Sequence, residues 1–292
     1  MRSPRRCQSV PLGRWEKIIR CAVRSTAISR VRVSSQIGST QDEARKLVNL
    51  NYSSPFIVVA RRQIAGRGRE GRAWSEAGGG GMAMTLGIPA PEFLSEKGDG
   101  GGLLSLAAGV AAVNAIRRLA AHGGANLKQN YRSEGRFIGL KWPNDIVHGR
   151  RDVTVEGSLR KLGGVLVERV GGWFLVGVGL NVYQPTSAWP AVGLRSTAVS
   201  LRELGVVGRV PLLAGLVGDE MFRLLASPQA EVVEQWGGHD LLTGRRSGFV
   251  SGGMETRGVV QAIEPLKWLD VKQEHDGEVI RLNAATTVRL RD

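Results

Sequence analysis

Residues 66–72 have the composition of an anion-binding loop. They read Gly-Arg-Gly-Arg-Glu-Gly-Arg, so that three glycines alternate with Arg67, Arg69 and Arg72. Glycines let the backbone pass close to a ligand, and guanidinium groups bind phosphates and carboxylates. The loop lacks the Gly-Lys-Ser/Thr ending of a Walker loop. Because it directly follows a β-branched run and precedes Trp74, we favour an anion-binding loop over a flexible surface loop.

A second segment that could carry chemistry is 141–145, which reads Lys-Trp-Pro-Asn-Asp. Pro143 ends the apolar run before it, so that Asn144 and Asp145 project from a strand end. Two interpretations are open here. Either Asp145 supplies an oxygen ligand to Mg²⁺ whose other ligands are nucleotide phosphates, or Trp142 packs in the core and Asp145 is the acid of a turn.

Lys161 opens an apolar run and is followed closely by Gly163 and Gly164. A lysine at the mouth of a strand can polarise a carboxyl oxygen and stabilise the negative charge that develops there. The alternative is a solvated lysine at the edge of a strand, with no part in any chemistry.

The next apolar run ends in Gly177, Gly179 and Asn181. Glycines within a strand often mark a close approach by a ligand or by another stretch of backbone. The amide of Asn181 offers both a donor and an acceptor, as recognition of a nucleobase edge requires.

The sequence shows no Ser/His/Asp triad, metal-binding cluster or redox pair. We interpret the four scattered histidines as surface residues, namely His122, His148, His239 and His275.

The elements that must position these residues mix strands and helices. Thr40 and Glu43 have the spacing of a capping box, which predicts that a helix begins there. The run 103–121 is apolar on all sides, which predicts a central packing helix. The last fifty residues alternate short β runs with turns and indicate a small antiparallel barrel or sandwich. The other predicted elements are strands at 56–60 and 82–88, a hairpin of 161–169 with 173–181, and a helix at 211–226.

The net charge of +14 is concentrated in one segment. Residues 1–35 hold nine basic residues and one acid, which gives +8 there and leaves +6 for the other 257 residues. A duplex-binding protein usually clusters basic residues on its folded domain, which this distribution does not favour. We predict that 1–35 is a basic, disordered tail. It is interpreted as a leader, an organelle transit peptide or an extension upstream of the natural start.

The remaining composition is that of a folded chain, with 42% hydrophobic and 23% charged residues in 292. The two cysteines, Cys7 and Cys21, exclude a disulfide framework, which suits a reducing compartment. The longest run without charged or strongly polar residues, 103–113, falls short of the ~20 residues that span a bilayer. We therefore expect no membrane-spanning helix and no membrane partner.

With these segments in order, the chain resembles the biotin protein ligases. The resemblance covers about 36–292 and implies an α+β fold, in which helices flank a mixed sheet of the class II synthetase-like biotin/lipoate ligase type. A small C-terminal β-barrel follows in that family. The implied domains are a catalytic domain at 36–240 and the barrel at 241–292, after the tail. The matching motifs are Gly38-Ser-Thr40, Gln63 with 66–74, 141–145, 160–168 and Gly177-Val-Gly-Leu-Asn181.

The resemblance implies an ATP-dependent ligase of the cytoplasm, or of an organelle if the tail is a transit peptide. Biotin and MgATP would give biotinyl-5′-AMP and pyrophosphate. The adenylate would then acylate one lysine of a biotin carboxyl carrier domain, for example that of acetyl-CoA carboxylase. The alternatives are a lipoate or octanoate ligase or transferase of the related fold and, from another class, a basic nucleic-acid-binding protein.

The resemblance also assigns roles to residues. Lys161, Arg67 and Arg69 are the expected catalytic residues, and Asp145 is the expected metal ligand. The expected biotin-binding residues are Ser39, Thr40, Gln41, Gln63, Arg67, Gly68, Arg69, Lys161 and Gly164. The expected ATP- and adenylate-binding residues are Arg67, Arg69, Arg72, Trp74, Lys141, Asn144 and Asn181.

Two features depart from the family pattern. Gln41 stands where the family usually has Asn, and the connection 146–160 is longer and more charged than in the family. About 35 residues precede the ligase-like region, too few for the winged-helix domain that some members carry. We therefore expect no DNA binding, and a monomer or weak homodimer.

Overall fold

The computed structural model describes residues 10–25, 28–50, 52–74, 79–90, 100–122, 135–154, 157–190, 193–194 and 197–290. Cys7, the side chain of His122 and the first nine residues of the basic segment lie outside the described residues.

A seven-stranded mixed sheet forms the centre of the protein, with strand order β1-β2-β5-β9-β8-β7-β6. Strands β1 and β2 run parallel, and every other neighbouring pair is antiparallel. A two-stranded ribbon, β3 with β4, lies beside it. The strands are β1 Arg30–Ser34, β2 Phe56–Ala60, β3 Gly66–Arg67, β4 Ala73–Trp74, β5 Met82–Pro89, β6 Arg136–Lys141, β7 Asp145–Arg150, β8 Arg160–Val170 and β9 Trp173–Leu180.

Helices cover both faces of this sheet, so the predicted α+β class is confirmed. The period-2 alternation of β2 divides its apolar side chains between the faces. Phe56 and Val58 pack with Leu47 of α2, whereas Ile57 and Val59 join the larger cluster built on the other helices. The helices are α1 Leu12–Ala22, α2 Thr40–Asn49, α3 Gly100–His122, α4 Val210–Leu225 and α5 Gln229–His239.

Helix α3 is the central packing helix that its composition predicts. Its residues 100–121 have the length and hydropathy of a helix that could cross a membrane. However, 72% of its most apolar window is buried inside the protein, as in an ordinary core helix. Its buried residues include Val110 and Ile116, which belong to the same cluster as the apolar side chains of β5 and α4.

The prediction of a disordered tail over 1–35 is wrong for the described part of that segment. Helix α1 buries Trp15 and Ile19, and β1 is an edge strand of the main sheet. Gly215 of α4 lets α1 approach closely, because an added Cβ there would lie 2.6 Å from Ala22 Cβ. The high charge of the segment concealed a short amphipathic pattern, whose basic side chains face solvent.

The C-terminal region forms a five-stranded antiparallel sheet of order β13-β12-β11-β10-β14. Its edge strands do not pair with each other within the described residues, so the sheet stays open. The expected C-terminal β-barrel is therefore wrong in its closure, although the strand content is correct. The strands are β10 Arg246–Ser251, β11 Met254–Glu264, β12 Trp268–Gln273, β13 Val279–Asn283 and β14 Thr287–Arg289.

Buried hydrogen bonds connect this second sheet to the first. Trp142 Nε1 donates to the carbonyl oxygen of Pro265 at 3.1 Å. The buried guanidinium of Arg245 donates to Ser158 Oγ at 2.5 Å and to the carbonyl oxygen of Arg150. Arg245, just before β10, thereby binds the residues at which the charged connection between β7 and β8 begins and ends.

Candidate functional site

One cleft gathers all but two of the residues that the sequence predicts for the site. It encloses about 1040 Å³, including solvent at its open mouth. The start of α2, the β3–β4 ribbon, the β6–β7 turn and strands β5, β8, β9 and β14 contribute to its walls. The predicted residues that line it are Ser39, Thr40, Gln41, Gln63, Arg67, Gly68, Arg69, Arg72, Trp74, Asn144, Asp145, Lys161 and Gly164.

The start of α2 builds a polar corner of the cleft. Ser39, rather than the predicted Thr40, is the N-cap residue, and its Oγ accepts from the backbone N–H of Gln41 at 3.2 Å. Thr40 is thereby left to face Gln63, whose Oε1 accepts from Thr40 N at 2.7 Å and from Thr40 Oγ1 at 3.0 Å. All of these α2 residues are buried. The corner is therefore a set of donors and acceptors that hydrogen-bond one another.

Gln41 ties α2 to the main sheet under this corner. Its Nε2 donates to the carbonyl oxygens of Leu166 at 3.1 Å and Leu175 at 3.3 Å, which belong to β8 and β9. Its Oε1 is buried and has no hydrogen-bond partner. An unpaired buried acceptor is costly, so it is a place where a ligand N–H would bring a gain.

Arg67 is held by a carboxylate at the rim of the cleft. Its guanidinium donates to both oxygens of Asp42, at 2.7 and 2.8 Å. Glu168 lies further away, with 3.9 Å between the two charged groups. The hydrogen bonds from Arg67 lower the pKa of Asp42. Among the described residues, Asp42 thus occupies the guanidinium face that an anionic ligand would use.

The backbone of the Arg/Gly loop is folded tightly on itself. Gly68 N donates to the carbonyl oxygen of Arg72 at 2.7 Å, and Arg72 N donates to that of Arg69 at 3.1 Å. Gly66 has to be glycine because an added Cβ would lie 2.8 Å from the carbonyl oxygen of Trp74. The ribbon therefore presents Arg69 and Arg72 to the cleft from a defined turn.

Lys161 and Asp145 form an ion pair in the cleft. The distance from Lys161 Nζ to Asp145 Oδ1 is 2.5 Å, and Nζ lies 5.8 Å from the centre of the Trp74 ring. Asn144 Nδ2 donates to the carbonyl oxygen of Val165 at 2.6 Å and so holds the turn before Asp145, in which the Trp142–Pro143 peptide is cis. The side chain of Lys161 is 42% exposed.

The glycines of β9 mark a close approach, but the groups that approach are two of these side chains and not the predicted ligand or backbone. An added Cβ at Gly177 would lie 3.0 Å from Gln41 Nε2. At Gly179 it would lie 2.9 Å from the nearest atom of the Trp74 indole. The flat, open surface of β9 is thus what allows Gln41 and Trp74 to lie against the sheet.

Lys141 and Asn181 lie outside the residues that line the cleft. Lys141 is buried in β6, opposite Asp145 in the β6–β7 pairing. Asn181 is also buried, and its Nδ2 donates to the carbonyl oxygens of Lys161 at 3.3 Å and Val199 at 3.1 Å. In this geometry Asn181 supports the backbone of Lys161.

Three further residues lie in or beside the cleft, and no pattern in the sequence predicts them there. Val288 and Arg289 of β14 line the cleft, although the sequence predicts only a barrel strand there. Thr85 is fully buried in β5 and donates from Oγ1 to Thr40 Oγ1 at 2.9 Å. Periodicity identifies the strands that carry these residues, but only the tertiary fold brings them to the cleft.

The interpretation of all four histidines as surface residues is wrong for two of them. His148 and His239 are buried, and neither lines the cleft. Burial, helped by nearby arginines, lowers the pKa of each to about 4. His239 Nε2 lies 3.2 Å from Asn114 Oδ1. The side chain of His275 is 71% exposed.

The described residues contain no group of three or more His, Cys, Asp or Glu side chains that would form a metal-binding cluster. Asp145 is the acidic residue of the described cleft lining. Its carboxylate faces Lys161 at the distance given above. These residues can supply one oxygen ligand to a cation, and the nucleotide phosphates would have to supply most of the others.

Sequence comparisons with known proteins find one family and several of its members. The model of the Biotin/lipoate A/B protein ligase family matches residues 33–183. A "Biotin--[acetyl-CoA-carboxylase] ligase" of Mycobacterium tuberculosis is 28% identical over 269 residues, which is 89% of this chain and 88% of the relative. A "Bifunctional ligase/repressor BirA" of Bacillus spizizenii is 33% identical over 57% of this chain, and the match spans only 44% of that relative.

Solved structures share the fold. The biotin protein ligase of Aquifex aeolicus, solved in complex with biotin and ATP, has a TM-score of 0.67 at 20% identity and covers 91% of this chain and 100% of its own. That of Leishmania major, solved in complex with biotinyl-5-AMP, has a TM-score of 0.55 at 23% identity, with 88% and 99% covered.

Proposed function

Because the chain belongs to the biotin/lipoate A/B protein ligase family, we propose that it is an ATP-dependent ligase that activates biotin as its adenylate and transfers it to a lysine. The observation that carries this proposal is the convergence of three groups in one cleft: a polar corner of fixed hydrogen bonds, an Arg/Gly ribbon, and the Lys161–Asp145 pair. The relatives' names support the choice of biotin.

The chemistry of adenylation requires this combination. A carboxylate and a triphosphate repel each other, and positive groups must bring them within bonding distance. Lys161 and the ribbon's Arg69 and Arg72 face one cavity and supply that charge without a protein nucleophile. The mixed anhydride that forms must then be kept from water, which a ribbon closing over the cleft would achieve.

Residues of the polar corner suit a ureido group. Such a group presents a carbonyl oxygen between two N–H donors, and the corner offers both donors and acceptors from Ser39, Thr40, Gln41 and Gln63. The dithiolane of lipoate and the alkyl chain of octanoate have no N–H groups, so they would leave the acceptors of the corner without hydrogen bonds. This difference favours biotin over the acids of the related enzymes.

Mg²⁺ enters the proposal as an ion brought by ATP. A bound Mg²⁺ would neutralise phosphate charge during attack on the α-phosphate. The donor set fits such an ion, since Asp145 offers one carboxylate and no acidic cage is present among the described residues. Opening of the Lys161–Asp145 pair would make that carboxylate accessible.

The acceptor is proposed to be the lysine of a biotin carboxyl carrier domain. Support comes from the Mycobacterium tuberculosis relative, which matches most of this chain and is named for acetyl-CoA carboxylase.

We also propose that the catalytic domain includes β1 and ends before Leu241, and that 241–292 is a second domain that contributes Val288 and Arg289 to the cleft.

The test is biotin-dependent exchange of labelled pyrophosphate into ATP, with lipoate and octanoate as competing acids. Exchange with biotin alone is expected. Exchange with lipoate or octanoate instead would move the function to the related enzymes, and no exchange with any acid would overturn the proposal. A nucleic-acid titration in parallel addresses the remaining class, since a true nucleic-acid-binding protein would show salt-sensitive binding without exchange.

A further inference from the structure

A chain of hydrogen bonds runs from the core of the main sheet into the polar corner. Thr85 Oγ1 lies 2.9 Å from Thr40 Oγ1, which lies 3.0 Å from Gln63 Oε1. Thr85 has no exposed surface, although its neighbours Ala83 and Met84 line the cleft. Within the described residues, the hydrogen bond from its hydroxyl leads to the ligand-facing residues through Thr40.

The direction of every hydrogen bond in this chain follows from one backbone group. Thr40 N–H can only donate, so the atom of Gln63 that faces it at 2.7 Å is the amide oxygen. That oxygen can only accept, so the Thr40 hydroxyl must donate to it. The proton of Thr40 is then used, and the contact with Thr85 requires Thr85 to donate.

The consequence is that each group of the corner has a fixed role as hydrogen-bond donor or acceptor. Thr40 Oγ1 has no proton left for a ligand and retains one lone pair, so it can only accept from one. The amide oxygen of Gln63 is already used twice, so Gln63 offers its Nε2 donors. Gln41 Oε1 adds a second unpaired acceptor. An N–H beside a carbonyl oxygen is the ligand edge that this arrangement matches.

We propose that Thr85 is a positioning residue: Gln63 takes the proton of the Thr40 hydroxyl, and Thr85, by donating to one lone pair of Thr40 Oγ1, orients the other lone pair to accept from an N–H of a cyclic urea. This rests on the proposed function, since it concerns how biotin is chosen. Thr85 acts through Thr40 and takes no part in the reaction at the carboxyl group. Its loss should therefore weaken biotin binding and leave the chemical step intact.

The experiment measures biotin binding to the full chain by calorimetric titration without ATP, for the wild type, Thr85→Val and Thr85→Ser. Thr85→Val keeps the shape and removes the hydroxyl, and we expect the dissociation constant to rise about fivefold to tenfold, the usual effect of one lost hydrogen bond. Thr85→Ser restores the hydroxyl and should bind like the wild type. Thr256→Val is the control, a buried threonine of β11 outside the cleft lining.

A second measurement separates positioning from general loosening. Two biotin analogues, each methylated at one ureido nitrogen, are titrated against the same variants. The wild type should reject at least one of them, and Thr85→Val should reject it less strongly, while kcat for pyrophosphate exchange stays within about twofold. If Thr85→Val does not fold, the milder Thr85→Ala is used with the same expectations.

The outcomes distinguish the two proposals. Unchanged biotin affinity and unchanged discrimination in Thr85→Val would overturn the role of Thr85 while leaving biotin ligation in place. Equal loss in Thr85→Val and Thr85→Ser would also overturn it, because the hydroxyl would not be the cause. A wild type that binds no biotin would overturn the proposed function and this inference together.

Discussion

The ammonium group of Lys161 lies 2.5 Å from the carboxylate of Asp145 and near the face of Trp74, within the cleft. The pair joins the second residue of β8 to the first residue of β7, and these two strands pair antiparallel. A cation held this way is in place to interact with an anion that enters the cleft, provided that its carboxylate partner gives way. This makes Lys161 the residue on which the proposed chemistry depends most.

We expect Lys161→Ala to lower biotin-dependent pyrophosphate exchange by at least about 100-fold, because charge that develops at the reacting centre loses its counter-ion. The melting temperature should change little, since the side chain is partly exposed. Lys267→Ala, an exposed lysine beside β12, is the matched control. Exchange within twofold of the wild type in Lys161→Ala would exclude the assigned role.

We expect Arg67→Ala and Arg69→Ala to release biotinyl adenylate into solution. Without Arg69 the ribbon would lose a phosphate-binding group, and without Arg67 it would lose the ion pair to Asp42 that holds it at the rim of the cleft. The readouts are free adenylate and random biotin labelling of a bystander protein such as serum albumin. Arg62→Ala, an exposed arginine just before the ribbon, should behave like the wild type. If neither quantity rises in the two ribbon variants, the ribbon does not retain the intermediate.

We expect Gly179→Ala to reduce exchange by about tenfold or more, because the new Cβ would displace the Trp74 indole from β9. The fold should survive, since the clash is with a side chain at the cleft and not with the core. Gly172→Ala, at a turn where an added Cβ meets nothing within 4 Å, is the control. Full activity in Gly179→Ala would mean that the position of Trp74 is unimportant.

We expect Ile19→Ala to lower the free energy of unfolding by about 2–5 kcal/mol, the range for truncating a buried isoleucine. Ile19 of α1 is fully buried, and its backbone lies against Gly215 of α4. Arg20→Ala, on the exposed side of the same helix, should change stability by no more than about 0.5 kcal/mol. Urea unfolding measures both, and an unaffected Ile19→Ala would indicate that α1 is not part of the folded core.

We expect the protein to lose stability as the pH falls from about 6.5 towards 4. His148 and His239 have a pKa of about 4 when folded, against 6.5 ordinarily, so in this window the unfolded chain binds more protons. From pH 7 to pH 5 the cost is roughly 1–2 kcal/mol for each histidine. Urea unfolding of His239→Gln should show a weaker dependence on pH.

The exposed His275 provides the matched control for this last variant. His275→Gln should keep the dependence on pH of the wild type. If His239→Gln and the wild type lose the same free energy of unfolding between pH 7 and pH 5, His239 does not cause the loss.

Local sequence was enough to identify thirteen of the residues that line the cleft. Gly177 and Gly179 indicated a close approach to β9, and the fold places Gln41 and Trp74 there. Local sequence failed where distant segments meet. Nothing near Asp42 indicates that it will pair with Arg67, and nothing in 287–289 indicates a wall of the cleft.

The helix α1 illustrates a different failure. Its apolar residues Leu12, Trp15 and Ile19 have helical spacing, but the surrounding arginines dominated the composition and suggested a tail.

The open C-terminal sheet is a third case. Short alternating strands predict an antiparallel sheet, whereas closure depends on whether the two edge strands meet, and no local pattern encodes that.

The contribution of β14 to the cleft decides when, during synthesis, the cleft is complete. Residues near both ends of the described chain, from Ser39 to Arg289, must be present before the cavity has all its walls. A chain clipped short of β14, or one still on the ribosome with this strand unsynthesised, has an incomplete cavity. On the proposed function, reactive adenylate would then be produced only by finished molecules, and the fold itself would protect neighbouring proteins from stray acylation.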